Sequence, residues 1–98
     1  MTPVAVIPLS QVPAQVIPVQ LGEQACVITL YHKRTGLYLD LTVREKPVIT
    51  GVLCRDRVWL VRNSYLGFTG DLALVDLQGR SDPAWADLGT RYVLVWGR

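Results

Sequence analysis

Apolar and polar positions alternate with period two through the middle of the chain. Cys26, Ile28 and Leu30 share one parity and Val27, Thr29 and Tyr31 the other. Leu37, Leu39, Leu41 and Val43 then alternate with Tyr38, Asp40 and Thr42, the pattern of a strand with one buried and one wet face. Lys33-Arg34-Thr35-Gly36 lies between the two runs, so residues 24 to 43 read as a β-hairpin. Residues 14 to 21 form another extended run, ending at the turn signal Gly22-Glu23. Residues 47 to 54 are almost wholly apolar, as in a strand covered on both faces, and Gly51 within them marks a bulge or a close backbone approach. Shorter runs at Val58 to Val61, Asp71 to Val75 and Arg91 to Trp96 complete the set.

Strands recurring at such intervals, with turn residues between them, predict an all-β domain: an antiparallel β-barrel or β-sandwich of about seven strands. One helical signal interrupts them. Asp82 can cap a turn, Pro83 suits a first helical position and Gly89 a stop, which brackets a short helical turn near residues 83–88.

The first 22 residues differ in kind, because none carries a charged side chain. Pro3, Pro8, Pro13 and Pro18 exclude a membrane-spanning helix and a central strand, and there is no basic segment of a signal peptide. We read residues 1–12 as an extended arm and residues 13–98 as a single β domain. Val4, Val6, Ile7 and Leu9 give the arm an apolar content that calls for cover by a partner.

Composition supports an interacting chain. Half of the 98 residues are hydrophobic and only 18% are charged, with a mean hydropathy of +0.27. A domain this size buries only roughly two-thirds of the surface its unfolded chain exposes. The excess apolar side chains are expected as surface patches of the kind that mark interfaces. The net charge of +2 is weak, and the basic residues are spread from Lys33 to Arg98 among the acids, not gathered as a nucleic-acid footprint.

Chemistry-bearing residues do not converge. His32 stands at a hairpin end, and Cys26, on its strand face, is roughly 20 Å away at the usual rise, so the pair cannot form a nucleophile and base. Asp71, Asp76, Asp82 and Asp87 lack the alternation of a calcium loop and read as turn-capping residues. Gly67-Phe68-Thr69-Gly70 lacks the Lys and the following helix of a phosphate loop. No catalytic residue, cofactor or metal is expected, and Cys26 and Cys54 are expected as reduced thiols. Among the aromatics, Trp96 suits the core, while Tyr65, Phe68 and Trp85 are candidate contact residues. The alternative function is an oligonucleotide-binding barrel using Arg55, Arg57, Arg62 and Trp59.

Six segments occur in a telling order: Thr35-Gly-Leu-Tyr-Leu-Asp-Leu41, Gly51-Val-Leu-Cys-Arg-Asp-Arg57, Tyr65-Leu-Gly-Phe-Thr-Gly-Asp71, Val75-Asp-Leu-Gln-Gly79, Asp82-Pro83 and Leu88-Gly-Thr-Arg-Tyr92. Over roughly residues 13 to 96 the chain resembles the baseplate plug family of contractile-tailed bacteriophages. The resemblance implies a virion structural protein at the centre of the tail baseplate, assembled in the host cytoplasm. Its partners would be hub, spike, tube or wedge subunits, and the family carries no catalytic motif. Self-association is expected from the apolar excess, and neither specific nucleic acid nor membrane is expected as a partner, from the weak charge and the prolines.

Overall fold

The computed structural model describes residues 3–62 and 68–97. It contains seven strands: β1 (Pro3–Ile7), β2 (Ala14–Leu21), β3 (Gln24–Lys33), β4 (Gly36–Val43), β5 (Lys46–Leu53), β6 (Asp71–Asp76) and β7 (Tyr92–Gly97), with a 3-10 turn at Trp85–Asp87. These strands pair with one another antiparallel, and two isolated bridges, Asp56 to Leu74 and Leu88 to Tyr92, are parallel. One sheet is the meander β2-β3-β4-β5 and the other has the order β1-β7-β6. The sheets do not close on each other, so the sandwich alternative holds and the barrel does not.

The alternation in the sequence is the alternation of the pleat. Cys26, Ile28 and Leu30 on β3 and Leu37, Leu39, Leu41 and Val43 on β4 face the second sheet, which returns Leu72, Leu74, Leu94 and Trp96. The β3–β4 hairpin runs in unbroken register from Cys26↔Val43 to Lys33↔Gly36, as the sequence predicts. Trp96 joins the layers: a Cβ on Gly22, in the β2–β3 turn, would stand 3.4 Å from its ring.

Three local expectations are corrected. The run 47 to 54 is not covered on both faces. β5 ends the meander, with Lys46, Pro47, Thr50 and Gly51 exposed. An apolar run reports available side chains, not the number of neighbouring strands. Gly51 does lie within an irregularity, where β5 spends three residues against two on β4, with a φ of 65°. Second, Val58 to Val61 form no strand, although Leu60 and Val61 are buried. Third, Asp82 does not cap the helical turn; its Oδ1 accepts the Asp56 N–H instead.

Two carboxylates take over where ladder pairing stops. Asp71 opens β6 and is 1% exposed. Its Oδ1 accepts the N–H groups of Leu60, Val61 and Leu72 at 3.1, 2.7 and 2.7 Å, and its Oδ2 accepts that of Arg62 at 2.7 Å. One side chain thereby pairs the Val61 and Arg62 donors of an irregular segment, and leaving such groups buried without partners is costly. This is why an irregular segment can line the core. Replacing Asp71 with Ala should lower the unfolding free energy by about 3 kcal/mol or more, because several donors lose a charged acceptor. Asp71→Asn, which keeps one acceptor oxygen, should lose less. Urea denaturation of both variants checks the order.

Candidate functional site: outer faces, edges and the amino-terminal strand

At the far end of β6, Asp76 is fully buried and anchors a polar cluster. The Arg91 guanidinium meets it bidentately, Nε to Oδ1 at 2.8 Å and Nη2 to Oδ2 at 2.9 Å. The N–H groups of Gln78 and Ser81 complete its acceptors, so Asp76 does cap a turn. Arg57 donates to the carboxylate of Asp56 and to the carbonyls of Gly79 and Asp76. The cluster ties residues 56–57 and the 77–82 loop to the start of β7. Arg57 is therefore committed to structure, and Arg62 donates to the Trp59 carbonyl, an arrangement unlike an open stacking face for bases.

The contact residues expected from sequence do not share one environment. Val6 points outward from β1 and is 63% exposed, whereas Ile7 beside it is 2% exposed and belongs to the chain's own core. Leu9 and Trp85 are half-buried against that core, and Val4 lies in β1. Phe68 is also a core residue. Its turn is drawn inward because the Gln24 side chain brackets Thr69, accepting its N–H and donating to its carbonyl, and the Trp96 indole donates to the same carbonyl. Tyr65 lies outside the described residues.

Sequence reasoning missed the outer face of the four-stranded sheet. Val16 is 65% exposed there. Across the β2–β3 ladder Pro18 faces Val27, which is 38% exposed. Together with Ala25 they form an apolar patch, and a groove of about 480 Å³ runs from it to the Arg44–Glu45 turn. Both turn residues have positive φ, 49° and 67°, a conformation that favours Asn and Gly. The signal was present: Val16 and Pro18 share the parity of β2 opposite to Leu21. At the other end of this face Tyr31 and Tyr38 stack at 6.0 Å, with the Lys33 ammonium 5.4 and 5.3 Å from their centroids. His32 is exposed at the strand end.

The free edges are blunted. The Pro13 carbonyl accepts the His32 N–H, so odd-numbered residues of β2 bond to β3 and Pro18 turns its missing donor to the open side. The edge of β6 is covered, since Leu72 and Leu74 carbonyls accept the N–H groups of Leu60 and Arg57. On the edge of β5 stand Lys46, Pro47 and the Gly51 bulge. Among the described residues no group of three metal-ligating side chains exists, and no helix is long and apolar enough to cross a membrane.

The family described as "Cyanophage baseplate Pam3 plug gp18" matches residues 4–98. The chain belongs to this baseplate plug family. The match takes in the proline-containing segment as well as the body. Among curated proteins none matches the chain. Membership in the plug family associates the chain with the virion tail baseplate and with other baseplate proteins. The geometry that bears on such a role is the apolar outer faces and the strand edges.

Two chemical outcomes follow from the interior. Cys26 and Cys54 are free and buried; burial raises both thiols, that of Cys54 to about 12. Neither should react with iodoacetamide in the native protein at neutral pH, and both should react after unfolding without reductant. An intact disulfide, read by mass spectrometry, would contradict this. The Arg91 guanidinium holds the Asp76 carboxyl well below the usual carboxylate range, against the opposing effect of burial. A depressed folded-state pKa contributes stability above the unfolded value, about 3.9, and that contribution is lost as pH falls towards the folded value. Stability should therefore decline below about pH 4. Asp76→Asn should be less stable at neutral pH and show a flatter acid limb in thermal melts.

Proposed function

We propose that this chain is a structural plug at the centre of a contractile phage tail baseplate, closing the tube and hub region without enzymatic activity. The observation that carries the reading is the family match over nearly the whole chain. The mechanism is burial of apolar surface against hub, spike, tube or wedge subunits and against further copies of the chain, after assembly in the host cytoplasm. The outer face at Val16, Pro18 and Val27 supports it, because a chain so rich in apolar side chains leaves these on the surface. Trp85 contributes to both folding and contact, since it already packs against the core.

Val16→Lys tests the mechanism. At an exposed position the substitution should change stability by no more than about 0.5 kcal/mol. It should reduce incorporation into tails and capture by purified baseplate proteins, because an interface core disfavours charge. Normal incorporation of a Val16→Lys, Val27→Lys double variant would overturn the assignment of this face.

A further inference from the structure

We propose that β1 is an exchangeable strand, which in the assembled protein leaves its own β7 and fills the same slot in a neighbouring copy of this chain. The proposal rests on the self-association included in the function proposed above and names its mode.

β1 is held along a single edge. Among the described residues it pairs only with β7, and an irregularity between Pro3 and Ala5 leaves Ala5, Val6 and Ile7 as its regular ladder. Ile7 is its fully buried anchor, with Ala5 and Leu9 half-buried beside it. The connection to β2 must pass from one sheet to the other, and Pro8 and Pro13 bound it. Proline fixes φ and stiffens such a connector, and strain in a short hinge favours exchange between copies. Ser10, Gln11 and Val12 within it are exposed. Its ties to the body are few and exposed. The Gln15 side chain of β2 brackets Ser10, accepting its N–H at 3.0 Å and donating to its carbonyl at 2.8 Å. Gln11 donates to the Thr90 hydroxyl at 3.3 Å, and the Leu9 carbonyl lies close over Gly89, where a Cβ would stand 2.6 Å away.

The slot itself cannot stay empty. Without β1, the apolar β7, carrying Leu94, Val95 and Trp96, would present an open edge, which templates pairing with another chain. The segment whose shape fits is β1 of a second copy, because exchange reproduces every native contact and alters only the connector. The absence of charged side chains from residues 1 to 22 removes repulsion between two such segments passing each other. Val6, Val12 and Val16, three exposed valines, all lie in this stretch, where crossing connectors can cover them.

A cysteine pair decides the matter. Val6 and Val95 are register partners, and paired positions in antiparallel strands approach within disulfide reach. The Val6→Cys, Val95→Cys full-length variant is separated by size exclusion with light scattering. Each fraction is oxidised with copper phenanthroline and run on a denaturing, non-reducing gel. Exchange predicts covalent dimers or larger species from the oligomeric fraction, and interchain disulfides when the two single variants are refolded together. An oligomeric fraction that yields only monomers with internal disulfides would overturn exchange and leave self-association intact. A chain that stays monomeric at every concentration, with internal disulfides alone, would overturn both. A second variant lacking Ser10 and Gln11 shortens the connector so that β1 cannot fold back. Its mass should shift from monomer to dimer or higher, and an unchanged monomer would contradict the proposal.

Discussion

Burial of carboxylates at both ends of β6 is the interaction on which the rest of this structure depends. A sandwich of 98 residues has few strands to spare, and one side of its smaller sheet is closed by irregular chain. Asp71 supplies acceptors to three consecutive loop donors, those of Leu60, Val61 and Arg62. Asp76 does the same for Gln78 and Ser81 and adds the Arg91 guanidinium. These contacts let Leu60 and Val61 reach the core without a ladder of their own. The same irregular segment covers the outer edge of β6 through the Leu60 and Arg57 N–H groups, so the buried carboxylates and the control of the sheet edge share one stretch of chain.

That frame shapes the surface. With β6 covered and β2 and β5 interrupted by Pro18 and Pro47, lateral strand addition is discouraged at three of the four sheet edges. What stays open is the outer face around Val16 and Val27 and the outer edge of β1. Apolar side chains in excess of the interior volume thus collect where they can meet another subunit, in keeping with the baseplate plug family.

The meander was legible in the sequence because its signals are local. Alternation from Cys26 to Val43 and the turn at Gly22-Glu23 fixed β2, β3 and β4, since each strand pairs with its neighbour in the chain. The second sheet was less legible because its partners are distant: Ile7 pairs with Leu94 across almost the whole chain. For the same reason Ile7 and Phe68 read as surface contacts but are core residues, held by partners that no local pattern reveals. The role of Asp71 escaped because an aspartate beside a glycine looks like an ordinary turn residue until its donors are known, whereas Asp76 caps a turn as read but its buried pairing with Arg91 has no local signal. The outer-face patch is readable from the parity of β2, where Val16 and Pro18 alternate with the core-facing Ile17, Val19 and Leu21.

The central claim, that this chain works by burying its outer apolar surface in a baseplate, is tested most directly by cryo-electron microscopy of the tail tip of particles that carry it. The account predicts density for the two-sheet body on the tail axis, with the Val16–Val27 face packed against a neighbouring subunit. A tail tip that lacks the chain, or holds it with that face open to solvent, would contradict the account.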